Sequence, residues 1–131
     1  MPSQSARLLF VESDAYVRLL VEDALRDAGC AVKPASTVAG GQSLLDAEAY
    51  DLLLTNGRLP DGSGFSIATK AAEQSLEVLV CAGYVYEYSE EERAKFTTFA
   101  KPIRLAYLLQ SVRAALRNTV IGPKPAGTTG C

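Results

Sequence analysis

The sequence predicts an α/β fold in which a five-stranded parallel sheet is covered by helices on both faces. Along the 131 residues, short apolar runs suited to buried strands alternate with segments whose apolar residues recur at helical spacing. Five such alternations follow one another, and strand–helix repeats of this kind favour parallel strands. The second and fifth runs are the least apolar, as expected for the strand order 2-1-3-4-5, which places them at the two sheet edges.

The strand candidates are short and mostly apolar. They cover residues 7–11, 31–35, 52–55, 77–82 and 96–100. Pro34 lies in the second candidate, and because proline has no N–H to donate, it confines that strand to a sheet edge.

The helix candidates are defined by their caps and by one apolar stripe each. Asp14 is the predicted N-cap of the first helix, which ends at Gly29. The predicted buried stripe of this helix is Val17, Leu20, Val21, Ala24, Leu25 and Ala28. Further helices are predicted over residues 38–47, over 64–73, and from a capping box at Ser89 to about residue 95. The last helix begins at Pro102 and is expected to bury Leu105, Leu108, Leu109, Val112, Ala115 and Leu116.

Composition limits the class of protein. We expect one domain over residues 7–117, with an N-terminal extension at 1–6 and a flexible tail at 118–131. The net charge of -2 gives no footprint for nucleic acid, and no apolar run approaches the roughly 20 residues of a membrane span. The 3 cysteines lack metal-type spacing and no secretory signal is present, so a reducing, cytoplasmic location fits best. The lack of histidine excludes serine–histidine catalysis and histidine zinc sites.

Polar residues gather where the predicted strands end. The strand order places the carboxyl ends of the first and third strands side by side, at the point where open parallel sheets form their sites. Glu12 and Ser13 follow the first strand, and Asn56 follows the third. Cys81 and Lys101 lie at the ends of the two neighbouring strands, so these five residues form the candidate site.

The segment around Asn56 carries a resemblance to a known family. An apolar run over residues 50–55 ends at Asn56, and a dense turn signal over residues 57–64 follows at once. Over residues 6–117 the chain resembles response-regulator receiver (CheY-like) domains, which implies a flavodoxin-like three-layer sandwich. In that family the residue at position 56 is the aspartate that accepts a phosphoryl group. An amide cannot replace it, because it lacks the nucleophilic carboxylate oxygen.

The resemblance implies roles for five further positions. The family's acidic pair, which holds Mg²⁺ together with the acceptor, corresponds to Glu12 and Ser13. Glu12 is then the one remaining metal-ligand candidate, and Mg²⁺ binding is expected to be lost or weak. Cys81 stands where the family has a small hydroxyl residue, and Thr98 where it has the aromatic switch residue. Lys101 matches the lysine that neutralises the phosphoryl charge.

These positions predict a stand-alone, degenerate pseudo-receiver of a two-component phosphorelay. It is expected not to be an enzyme, not to be phosphorylated at Asn56, and to act through protein–protein interaction. The implied partners are a histidine kinase, another regulator or an output protein, with a homodimer as an alternative. Two other hypotheses are phosphorylation of another carboxylate (Glu12, Asp14 or Asp61) and binding of a small molecule in the vacated pocket.

Three tyrosines follow the fourth predicted strand. Tyr84, Tyr86 and Tyr88 fall on the loop and helix face through which receivers contact partners, and tyrosine is enriched in interfaces. We therefore take them as partner-binding candidates. The alternative is that their rings pack over a shortened helix.

Overall fold

Helices and strands alternate along the chain from its first strand onward. The computed structural model describes residues 6–82, 96–100 and 104–118. The elements in chain order are β1 (Arg7–Val11), α1 (Ala15–Asp27), β2 (Ala31–Ala35), α2 (Val38–Ala47), β3 (Leu52–Asn56), β4 (Arg58–Leu59), β5 (Gly62–Ser63), α3 (Gly64–Glu73), β6 (Glu77–Ala82), β7 (Thr97–Ala100) and α4 (Leu105–Asn118).

The main sheet is parallel throughout, with the strand order β2-β1-β3-β6-β7. Because β6 and β7 are the fourth and fifth strands of this sheet, the predicted fold class and the order 2-1-3-4-5 are confirmed. β3 pairs with β6 in a register that sets Asn56 opposite Cys81. The carboxyl ends of β1 and β3 are neighbours, as expected for a switch point.

The sheet separates two hydrophobic cores. Leu8 and Leu54 belong to a core that also contains side chains of α1 and α4, whereas Leu9 and Leu53 face a core built with α2 and α3. Because β1 and β3 are buried on both faces, their sequences are continuous apolar runs without an alternating pattern. Each face is covered by two of the described helices. The helix predicted from Ser89 lies outside the described residues.

Several details differ from the prediction. β3 includes Asn56, so the candidate acceptor position is the last residue of the strand itself. The turn-rich segment after it forms an antiparallel hairpin of β4 and β5. Leu20, predicted on the buried stripe of α1, is 49% exposed, because the stripe that meets the sheet runs through Val21 and Leu25.

Cys30 is buried and disulfide-bonded, whereas the sequence analysis expected reduced thiols.

Helix α3 begins in close contact with the end of β3. A Cβ at Gly64 would stand 1.8 Å from the backbone oxygen of Asn56, which no side chain can tolerate. The Gly64 N–H donates to the Gly57 carbonyl at 2.8 Å and closes the loop between them. Position 64 therefore requires glycine for close approach of two backbone segments.

Asp61 holds the hairpin against helix α2. Its carboxylate accepts hydrogen bonds from the N–H groups of Val38 at 2.7 Å and Ala39 at 3.0 Å. Thr37, the N-cap of α2, accepts from the Gly40 N–H at 2.9 Å. A carboxylate is favourable there because the first N–H groups of a helix lack partners and carry partial positive charge. The sequence analysis placed Asp61 in a turn signal and named it as an alternative phosphoacceptor, but it did not predict this contact with α2.

The pH dependence of stability should report this contact. The hydrogen bonds from Val38 and Ala39 lower the pKa of Asp61 below its ordinary value. A carboxyl with a depressed pKa stabilises the folded chain above its unfolded pKa, and that contribution is lost as the pH falls through the folded pKa. We therefore expect Asp61→Asn to be less stable than wild type at neutral pH, with a difference that shrinks in acid. Urea unfolding of both proteins at neutral and at acid pH measures the difference in their free energies of unfolding. An equal difference at the two pH values would contradict a charge effect.

Candidate functional site

Asn56 and Glu12 meet at the carboxyl end of the sheet. Asn56 Nδ2 donates to Glu12 Oε2 at 3.3 Å and to the backbone oxygen of Arg58 at 3.3 Å. A carboxylate and a carbonyl are both acceptors only, so the donor end of the amide must face them. The amide oxygen of Asn56 therefore points away from both groups, and Glu12 meets a donor at position 56.

Glu12 is buried and held by the backbone around it. Its exposed fraction is 4%, and Oε2 also accepts the N–H of Asp14 at 3.0 Å. Its own N–H donates to the Ala35 carbonyl of β2 at 3.0 Å. A buried carboxylate is tolerated where hydrogen bonds replace its lost hydration. Glu12 is thus fixed in place as an acceptor.

Arg18 closes the loop between β1 and α1, a contact that sequence reasoning missed. Its Nη1 donates to the backbone oxygens of Glu12 at 2.7 Å and Ser13 at 3.4 Å. A cation near a helix N-terminus is disfavoured by the helix dipole. The position of Arg18 near the start of α1 therefore indicated that its side chain would be held by acceptors outside the helix, here the loop carbonyls.

Ser13 and Asp14 do not present carboxylates to the site. Ser13 is exposed, and its hydroxyl cannot replace an acidic ligand. Asp14 is the N-cap of α1, as predicted, and its Oδ1 accepts from the N–H groups of Tyr16 at 2.9 Å and Val17 at 3.1 Å. Its exposed carboxylate is thus engaged in capping.

The other predicted site residues are placed as follows. Cys81 is a buried cysteine that is not in a disulfide bond and belongs to the core shared with α1 and α4. Thr98 is half-buried, and its Oγ1 donates to the Phe96 carbonyl of the same chain segment at 3.1 Å. Lys101 and the cluster Tyr84, Tyr86 and Tyr88 lie outside the described residues.

The donor set does not fit the divalent cation that the resemblance implies. Mg²⁺ takes oxygen ligands in a near-octahedral shell, usually with carboxylates among them. Glu12 already receives two N–H groups, Ser13 offers no carboxylate, and Asn56 turns its nitrogen inward. Within the described residues, no group of three acidic, cysteine or histidine side chains is placed to hold a metal.

Helix α1 carries apolar side chains on its outer face. Tyr16, Leu19 and Leu20 are 76%, 60% and 49% exposed, and their helical spacing places them side by side. The opposite stripe of the same helix is buried. The sequence of α1 contains more apolar residues than one buried stripe requires, and this was the signal for a second apolar face.

In the described part of the chain, no helix is long and apolar enough to cross a membrane.

The chain is similar to response regulators in sequence and in structure. No protein-family model matches it. It is 28% identical over 116 residues to the response regulator protein PilR of Pseudomonas aeruginosa, which is 85% of this chain and 26% of PilR. The chain therefore spans about a quarter of the length of this curated relative.

Three solved structures show the likeness in fold. The CheY-like receiver domain protein from Methanospirillum hungatei has a TM-score of 0.80 at 22% identity, covering 88% of this chain and 97% of that one. The receiver protein from Sinorhizobium medicae has a TM-score of 0.78 at 23% identity, covering 89% and 98%. The response regulator TrrA from Thermotoga maritima, in complex with Mg²⁺-BeF, has a TM-score of 0.75 at 18% identity, covering 84% and 98%. The fold of this chain is that of CheY-like response-regulator receiver domains.

Proposed function

We propose that this chain is a receiver-type signalling module of a two-component system that is not phosphorylated at position 56. In this proposal it is a non-enzymatic protein that acts by binding other proteins of the pathway, such as a kinase, a regulator or an output protein. The observation that carries the proposal is the amide of Asn56 at the end of β3, donating to Glu12. A receiver's acceptor position needs a carboxylate oxygen as nucleophile, and this position offers a hydrogen-bond donor.

The nearby carboxylates are poor substitutes for the missing acceptor. Glu12 is buried and bonded through Oε2 to two N–H groups. Asp14 caps α1, and Asp61 caps α2 through both of its carboxylate oxygens. Phosphorylation of Asp61 would require one of its two hydrogen bonds to break, and at Glu12 or Asp14 it would remove the carboxylate charge that strengthens these bonds.

An interaction role is supported by the outer face of α1. A helix with apolar residues on both sides is usually covered on both sides. Here Tyr16, Leu19 and Leu20 remain exposed beside the carboxyl end of the sheet. We take these three side chains as a partner-contact surface, in addition to the tyrosine cluster named from the sequence.

The amide must also persist for the proposal to hold, although Asn-Gly is the dipeptide most prone to deamidation. In that reaction the Gly57 nitrogen attacks the side-chain carbonyl carbon of Asn56, and ammonia leaves. Here the Gly57 N–H donates to the Cys81 carbonyl at 2.7 Å, and the Asn56 side chain is tied to Glu12. These hydrogen bonds hold both the Gly57 nitrogen and the Asn56 side chain in place, which opposes the attack on the side-chain carbonyl carbon.

Phosphoryl transfer to the protein is the direct test of the proposal. Incubation of wild type with acetyl phosphate and Mg²⁺ should leave its intact mass unchanged. The double variant Ser13→Asp with Asn56→Asp, which restores two carboxylates, should gain a phosphoryl group. Labelling of wild type, mapped to Glu12, Asp14 or Asp61, would establish the unconventional acceptor instead.

Binding through α1 should depend on its exposed leucine. Leu19→Lys should change the free energy of unfolding by no more than about 0.5 kcal/mol, because the side chain is exposed. It should weaken association by about 1–3 kcal/mol, as for an interface anchor. The measurement is quantitative pull-down from native lysate. Gln74→Lys, at the exposed C-cap of α3 on the opposite face of the sheet, is the control. Equal recovery of the same proteins by all three forms would contradict the assignment.

Deamidation should be slow only while the chain is folded. Folded protein aged at mildly alkaline pH should keep its amide at position 56, whereas protein held in guanidinium should convert to aspartate and isoaspartate. Peptide mapping by mass spectrometry measures both. Equal rates in the two samples would show that the Gly57 hydrogen bond gives no protection.

A further inference from the structure

Two oxygen atoms from separate parts of the chain converge on the amide nitrogen of Asn56. One is Glu12 Oε2, directly after β1, and the other is the backbone oxygen of Arg58 in β4. Each lies 3.3 Å from Asn56 Nδ2. Both are the hard oxygen donors that a divalent cation would take. In this chain an N–H donor stands between them.

We propose that the Asn56 amide is a built-in replacement for a divalent cation, so that the site holds its shape without metal. The amide nitrogen carries two N–H donors, enough for one bond to each oxygen. The amide adds a second N–H to the one that Glu12 Oε2 accepts from Asp14, which helps to offset the lost hydration of this buried carboxylate. Asn56 is thus a positioning residue, and its amide adds to the missing carboxylate at Ser13 as a cause of the poor fit of the site to Mg²⁺.

The contact reaches further than the two oxygens. Arg58 pairs with Ser63 across the hairpin, so the amide fixes the hairpin relative to β1. Ser63 is the N-cap of α3 and accepts from the Phe65 N–H at 3.1 Å. Asp61, in the hairpin turn, caps α2. One side-chain amide therefore positions a hairpin that caps two helices.

This inference deepens the proposed function, since it treats position 56 as a former acceptor position. The two can fail separately. Labelling by acetyl phosphate tests whether the chain is phosphorylated. The stability of charge-exchange variants tests whether the amide does the work of a cation, whatever the protein signals.

The experiment compares melting temperatures in EDTA and in millimolar Mg²⁺. Wild type should melt at the same temperature in both. Asn56→Asp places two carboxylates in contact, and repulsion should lower its melting temperature in EDTA by about 5 °C. Added Mg²⁺ should restore much of this loss, because the new carboxylate, Glu12 and the Arg58 carbonyl can then share a cation.

The decisive control exchanges the two groups. Glu12→Gln combined with Asn56→Asp keeps one amide and one carboxylate in contact, in reversed positions. It should melt above Asn56→Asp in EDTA and should not respond to Mg²⁺. Asn56→Ala, which lacks both donor and charge, should lose stability without any recovery in Mg²⁺.

Three results would overturn the proposal. They are a wild-type protein stabilised by Mg²⁺, an Asn56→Asp variant as stable as wild type in EDTA or indifferent to Mg²⁺, and an exchange variant no more stable than Asn56→Asp. If Asn56→Asp does not fold in EDTA, the exchange variant decides alone. Folding of that variant without metal supports the proposal, and its failure to fold contradicts it.

Discussion

The parallel pairing of β1 with β3 is the constraint on which the rest of the molecule depends. Leu8, Leu9, Leu52 and Leu53 are fully buried, and they face two cores at once. Since both faces are apolar, an alternating pattern cannot fix the register; a slip of one residue would move every side chain into the other core, and the close packing of the two cores opposes it. The same register sets the residue after β1 beside the last residue of β3.

The polar contacts at this end follow from that register and leave the loop little freedom. Gly57 is bonded through its N–H to β6 and through its carbonyl to Gly64, whose backbone touches that of Asn56. The hairpin that follows is tied to α2 by a carboxylate and to α3 by a hydroxyl. The polar groups at the carboxyl end of the sheet are therefore held together by hydrogen bonds within the chain.

The sequence correctly predicted the features that depend on residues close together along the chain. The apolar runs gave the strands, and Asp14 was assigned as a cap from its position before an apolar stripe. The sequence could not give contacts between distant segments, such as Asp61 with the start of α2, 22 and 23 residues away. Leu20 was misplaced because α1 has apolar residues on two faces, and only packing decides which face meets the sheet.

Pro34 gives the sheet a protected edge. In a parallel ladder the N–H and carbonyl of one residue point to the same side, and those of the next residue to the other. The Ala35 carbonyl accepts from Glu12 in the direction of β1, so the nitrogen of Pro34 faces outward. The outer rim of β2 therefore lacks a donor at that point, which hinders strand addition by another chain. Self-association across this rim is disfavoured, which leaves helical surfaces as the better route to a dimer.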